Sequence, residues 1–277
     1  MFAKHFKREV HRLLESHWYP RMFIFSYWEQ ALRGERYQDP KNLVRYGSKS
    51  YSQNDEDGIV SEIFNRIGSK NKKFIEIGVA EGLENNTLNL LVNGWTGTWF
   101  EISKEECEKI GTNCKHFLSN GSLKVINQKI SPNNINQLLE NVRDQEIDLF
   151  SIDIDGNDFW VWKALTAIAP RVVVIEYNAT WRPPSTTVME FDDNYQWDGS
   201  NYTGTSLKAL EKLGHEKGYN LVACNFSGVN AFFVRKDLCG DKFLEPYTAE
   251  KHYEPARYFF SHVPAGHRSR VGPVIQY

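Results

Sequence analysis

Between residues 72 and 178 the chain alternates five short apolar runs with four stretches of helical periodicity, a rhythm that constrains the fold more than any other feature. The runs are KKFIEIGV (72–79), GTWFEIS (97–103), SLKVINQKI (122–130), IDLFSIDID (147–155) and RVVVIEYN (171–178). They carry little of the alternation of a strand with one wet face, and their connections have βαβ length. The pattern therefore predicts a parallel sheet covered by helices on both sides. Farther on, a helical stretch at 206–218 precedes NLVACNF and NAFFVRKDL, which are joined only through Ser227-Gly228-Val229. So short a link forces an antiparallel pair. The expected fold class is α/β: a doubly wound, mostly parallel sheet of about seven strands ending in an antiparallel hairpin.

Around that sheet the chain divides into three parts. Residues 1–48 form an N-terminal helical appendage, with two helical pieces broken near Tyr19-Pro20. Its apolar positions suit packing against the main domain or a second subunit, so it is the expected homo-oligomer contact. Residues 49–240 are the α/β domain, interrupted by a helix-poor insertion at 179–205, and residues 241–277 read as an irregular tail near the active site. A loop longer than 20 residues in a compact domain is usually functional. The aromatic residues Trp181, Tyr195, Trp197 and Tyr202 make this one a substrate wall or lid suited to carbohydrate.

Lys and Arg number 33 against 35 Asp and Glu, so no basic field argues for nucleic acid. The four cysteines show neither a disulfide framework nor a CxxC metal motif. The start lacks the apolar core of a secretion signal and no stretch reaches membrane-span length, which leads us to expect a cytoplasmic protein.

In an open α/β sheet, ligands lie beyond the carboxyl ends of the strands. Read at their last residues, the strands offer Glu76, Gly78 and Glu81 from the first, Glu101 from the second, Asp153 and Asp155 from the fourth, and Glu176 and Asn178 from the fifth. Gly78 lets the backbone turn sharply, and Gly82 lets a helix start close to the sheet. A dinucleotide site wants a glycine where Ala80 stands, and Glu81 beside a diphosphate is repulsive. An adenosine ligand bearing an ammonium group suffers neither objection, and Glu101 is placed to accept both of its ribose hydroxyls. Helix capping explains at most one acid after the fourth strand, with Asp155 or Asn157 as the cap. For Asp55 and Asp57, service to the dipole of the helix they open is a strong competing reading.

YSQNDEDGI, FIEIGVAEGLENNT, the acid in WFEIS, SIDIDGND and VVIEYN together resemble the S-adenosylmethionine-dependent methyltransferases of Rossmann-like fold, most closely the FkbM-like branch. The resemblance spans roughly residues 50 to 238 and departs from the usual glycine pattern at Ala80. It implies a cofactor whose methionine part lies near Gly78, Glu81 and Asp153, with Glu76, Gly82, Asn86 and Thr87 around it. It further implies ribose on Glu101, adenine near Ile130, and Gln53 at the cofactor's carboxylate. The implied activity is O-methylation of a hydroxyl on a sugar, glycan precursor or other natural product.

A neutral hydroxyl is a poor nucleophile, and a hard divalent cation such as Mg or Mn on Asp153, Asp155, Glu176 and Asn178 would lower its pKa. Without metal, Asp155 is the general base and Asp153 holds the cofactor's ammonium group. Tail histidines His252, His262 and His267 are further base candidates, His262 among them as a catalytic residue. Two other classes compete: a metal-dependent glycosyltransferase using Asp153-Ile154-Asp155 as a D-x-D motif, and a non-catalytic scaffold.

Overall fold

The computed structural model describes residues 26–143, 145–257 and 274–277. Its strands are β1 Lys73–Ile77, β2 Thr96–Glu101, β3 Leu123–Asn127, β4 Leu149–Ile152, β5 Val172–Glu176, β6 Thr187–Met189, β7 Tyr219–Cys224, β8 Asn230–Arg235 and β9 Val274–Gln276. Seven of them form one sheet in the order β3-β2-β1-β4-β5-β8-β7. The pairs from β3 to β5 are parallel, while β8 runs antiparallel to both its neighbours. The order reverses between β1 and β4, so a crevice opens at their carboxyl ends.

Alternate residues of each strand supply two apolar layers. Ile75, Ile77, Ile152, Val173, Ile175 and Phe233 face one, and Phe74, Leu149, Val172, Val174 and Phe232 the other. Val172 to Ile175 are each 0% exposed, worth about 1.5–3 kcal/mol per side chain by area burial. That double burial is why β5 reads as an unbroken run of valine and isoleucine.

The main helices are α1 Glu56–Ile67, α2 Leu88–Val92, α3 Lys104–Asn113, α4 Lys115–Ser119, α5 Ile135–Leu138, α6 Asp158–Ala164, α7 Leu207–Glu216, α8 Lys236–Cys239 and α9 Ala249–His252. The helical stretch between β2 and β3 breaks at Cys114 into α3 and α4, and β8 stops at Arg235 where α8 begins. The tail is less irregular than its composition implies: α9 lies in it, and β9 pairs with β6 of the insertion. Tyr277 extends this contact by packing edge-on against Phe159 and lying under the Lys163 ammonium. Among the described residues, no helix is long and apolar enough to cross a membrane.

Residues 26–46 dock on the main domain. Trp28 stacks on Phe226 of the β7–β8 hairpin. Arg36 pairs with buried Glu254 at 3.0 Å, and the Tyr37 hydroxyl donates to the same carboxylate at 2.9 Å. The helical break expected near Tyr19-Pro20 lies outside the described residues.

Candidate functional site

The turn after β1 is built around glycine. Gly78 has φ +77°, and a Cβ there would lie 1.6 Å from the carbonyl oxygen of Asp153, so only glycine lets the tips of β1 and β4 come this close. Ala80 also takes a positive φ, +45°. Glu101 at the tip of β2 fixes this path: its Oε2 accepts the amides of Val79 at 3.2 Å and Ala80 at 2.9 Å, and its Oε1 that of Ser103 at 2.8 Å. Gly78 is half-buried while Ala80 and Glu81 are exposed, so the crossing opens to solvent. Gly82 serves a different end from the one expected. The next helix begins only at Leu88, and a Cβ on Gly82 would press to 2.9 Å of the Trp99 ring.

Glu76, Asn86 and Thr87 are spent largely on one another. Glu76 Oε1 accepts the Asn86 amide at 2.9 Å, and Oε2 accepts the Thr87 hydroxyl at 2.5 Å. Thr87 Oγ1 in turn accepts the Trp99 indole N–H at 2.8 Å, and the Asn86 side chain donates to Ser151 Oγ at 3.0 Å. All three are buried, and burial lifts the Glu76 carboxyl to about 7. They hold the loop that follows the crossing, instead of facing a ligand with free groups as the resemblance implies.

Of the three aspartates in SIDIDGND, one is local. Asp158 opens α6 and reaches back to accept the amides of Ile154 and Gly156, each at 2.9 Å. Asn157, one of the two expected caps, stands at the N-cap position of α6, but its side chain makes no capping hydrogen bond. The other two converge with a third acid: one oxygen each of Asp153, Asp155 and Glu176 lie within 4.8 Å of one another. Asp155 is turned into place by a left-handed backbone, φ +55°, with its carbonyl accepting the Thr203 hydroxyl at 2.7 Å. Burial, then Asp155, Asp158, Glu76 and Glu56 in that order, push Asp153 well above the ordinary carboxylate range. Burial and then Asp153 do the same to Glu176. Among the described residues none of these six acids forms an ion pair. Like charges at this spacing cost roughly 3 kcal/mol per pair at an effective dielectric of about 20, a cost that either a proton on the cluster or a cation relieves.

Asn178 departs from the expected ligand set. Its Oδ1 accepts the Thr180 amide at 3.0 Å and hydroxyl at 2.5 Å, and its Nδ2 donates to the carbonyls of Asn201 and Thr203. All its capacity goes to closing the base of the insertion. Gln53 is exposed, with its carbonyl accepting Lys49 Nζ at 3.0 Å, and Ile130 is 7% exposed within the core that includes Phe100 and Ile152.

The acids of SQNDEDG turn inward. Asp57 Oδ2 collects the amides of Ser50, Tyr51 and Ser52 at 2.6–2.8 Å. Asp55 accepts the Phe226 amide at 3.0 Å, and burial followed by the charge of Glu56 raises its carboxyl to about 7. Glu56, which composition left unremarked, is 0% exposed and accepts the side-chain amides of Asn225 at 2.7 Å and Asn230 at 3.0 Å. Only tertiary structure reveals these two asparagines, because they lie about 170 residues away.

The insertion covers the site from the β4–α6 side. Tyr195 lies against Gly156, where a Cβ would come within 2.6 Å of the ring. Asn157 donates to the Asp192 carbonyl at 2.9 Å, and Lys129 pairs with Asp193 at 3.0 Å. His252 is buried and paired with the Leu244 carbonyl at 3.0 Å, and burial drops its pKa to about 4, which leaves it a packing group remote from proton transfer. His262 and His267 lie outside the described residues.

No protein-family model and no curated protein matches the sequence. Similar solved structures include magnesium protoporphyrin IX methyltransferase from Synechocystis PCC 6803 with bound SAM, at 12% identity and TM-score 0.45, covering 78% of this chain and 97% of that one. An S-adenosylmethionine-dependent methyltransferase from Clostridium acetobutylicum is 13% identical with TM-score 0.42, covering 68% and 93%. The CcbJ methyltransferase from Streptomyces caelestis is 11% identical with TM-score 0.42, covering 70% and 96%. Resemblances this distant leave the chemistry to the chain's own residues, whose sheet order, glycine-bent crossing and acidic strand tips define a Rossmann-like α/β fold with a carboxylate cluster beside the crossing.

Proposed function

We propose that the protein is an S-adenosylmethionine-dependent O-methyltransferase acting on a hydroxyl of a sugar, glycan precursor or related natural product, assisted by a divalent metal. The observation that carries this reading is the open crossing at Gly78–Glu81, pinned by Glu101 and abutting an acidic cluster that has no basic partner among the described residues. S-adenosylmethionine supplies a sulfonium-bound methyl and a positive ammonium group, which suits carboxylates where a diphosphate would be repelled. Asp153, Asp155 and Glu176 would hold Mg or Mn, whose contribution is to lower the pKa of the acceptor hydroxyl and orient it.

The chain's own part is positioning and proton transfer. Glu101 keeps the crossing in one path, and its carboxylate, already taking three amides, retains lone-pair capacity for a ribose hydroxyl. Asp155, the exposed member of the triad, would take up the proton of the acceptor hydroxyl, while the bound cofactor would supply the methyl group by cleavage of its S–CH3 bond and leave as S-adenosylhomocysteine. The insertion supplies aromatic faces, with Phe191 and Trp197 exposed at 36% and 39%, which suit the apolar face of a sugar ring.

The test is calorimetric titration with S-adenosylhomocysteine, followed by transfer of labelled methyl groups to a panel of glycans with and without chelator. Micromolar binding and chelator-sensitive labelling are expected. Binding of a nucleotide diphosphate sugar with manganese, and none of S-adenosylhomocysteine, would turn the assignment toward a glycosyltransferase. Full labelling in chelator would leave Asp155 as a metal-free base.

A further inference from the structure

A hard divalent cation gathers neutral amide oxygens as well as carboxylates, because each neutral ligand adds coordination without adding repulsion. Asn178, the neutral oxygen expected from sequence, is consumed by Thr180. Another asparagine lies beside the strand tip that carries Glu176. β8 runs antiparallel to β5, and Asn230 is the register partner of Glu176, so the two side chains emerge side by side on one face of the sheet.

Asn230 is 3% exposed, and its Oδ1 has no hydrogen-bond donor among the described residues. Its orientation is fixed. The Nδ2 donates to Glu56 Oε1 at 3.0 Å, and turning the amide over would set its oxygen against that carboxylate. Its own backbone amide is held by Asn225 Oδ1 at 2.9 Å, and Asn225 Nδ2 supports Glu56 from the other side at 2.7 Å. A buried carbonyl oxygen left without a partner is costly, and here it sits beside the strand tip that carries Glu176.

We propose that Asn230 supplies the neutral oxygen ligand of the cation site formed by Asp153, Asp155 and Glu176, an assignment that rests on the metal reading above. The occupant is a divalent cation, with Glu56 and Asn225 acting as positioning residues that aim the amide.

The experiment is calorimetric titration of the metal-free full chain with Mn2+, for wild type, Asn230→Ala and Asn230→Asp, alongside S-adenosylhomocysteine titrations in chelator. Asn230→Ala is expected to bind Mn2+ at least tenfold more weakly with an unchanged circular dichroism spectrum. Asn230→Asp keeps an oxygen and adds charge, so it is expected to bind at least as tightly as wild type despite losing its bond to Glu56. A purely structural role predicts that both variants weaken binding alike, and that result overturns the assignment. So does wild-type Mn2+ affinity in a folded Asn230→Ala. Loss of S-adenosylhomocysteine affinity with Mn2+ binding intact also overturns it, in favour of an ammonium ligand. If Asn230→Ala does not fold, the direction of change in Asn230→Asp decides. Failure of wild type to bind Mn2+ removes the metal reading and this assignment together, whereas equal binding by wild type and Asn230→Ala removes the assignment alone.

Discussion

The Oε2 of Glu101 accepts the amide of Ala80 at 2.9 Å, so the acid at the tip of β2 governs the left-handed path of the crossing out of β1. Removing it strands the amides of Val79, Ala80 and Ser103. Glu101→Ala is expected to lose about 1–3 kcal/mol of stability, read by urea denaturation. Its affinity for S-adenosylhomocysteine should drop tenfold or more, equivalent to about 1.4 kcal/mol, by calorimetry. Unchanged affinity would remove Glu101 from the cofactor site and leave it a loop anchor.

The sheet was legible because five buried strands cannot hide their apolar runs, and because three residues between Phe226 and Asn230 permit only a hairpin. The acids at strand tips were legible as a group for the same reason. Their division of labour was not. Asp155 and Asp158 are three residues apart, yet one joins a cluster while the other closes its own loop, and only the left-handed turn at Asp155 separates them. The fate of Asn178 was hidden because sequence position says nothing about which amide is spent on a neighbouring threonine. The β9 strand has no signal in the sequence since three residues carry no period, and its pairing with β6 closes over 84 intervening positions.

A cation held by Asp153, Asp155 and Glu176 would relieve their mutual repulsion and so act on stability. A divalent ion at about a hundred times its Kd adds roughly 2.7 kcal/mol, which for a domain of this size shifts Tm by about 5–10 °C. In chelator, Asp153→Asn is expected to melt above wild type, since a desolvated charge among like charges has been removed. With Mg2+ or Mn2+ added the order should reverse. Identical melting of both proteins with and without metal would contradict a cation site here.

His252 gives the protein an acid limit. Its folded pKa is about 4 against 6.5, so the neutral form is favoured by folding. The stability this contributes is fully present above pH 6.5 and is lost as pH falls through 6.5 toward 4, amounting to about 3 kcal/mol over that window. His252→Gln is expected to flatten the fall in denaturation free energy between pH 7 and pH 4. A variant whose curve runs parallel to wild type would show that other groups set the acid limit.

Gly156 is a point at which the insertion can be lifted without altering Asp153 or Glu176. Its missing Cβ leaves room for the Tyr195 ring, which a methyl would meet at 2.6 Å, and the Tyr195 hydroxyl ties onward to the Tyr202 carbonyl at 2.6 Å. Gly156→Val therefore forces the ring away and slackens the 190–202 stretch while leaving Asp153, Glu176 and the Glu101-pinned crossing where they are. Limited proteolysis is expected to cut within that stretch at least several-fold faster in the variant. Affinity for S-adenosylhomocysteine should stay within about twofold, because the cofactor groups lie on the strand tips. Loss of cofactor affinity in step with the faster cleavage would place the insertion among the groups that hold the cofactor, and would displace its reading as a wall for the acceptor.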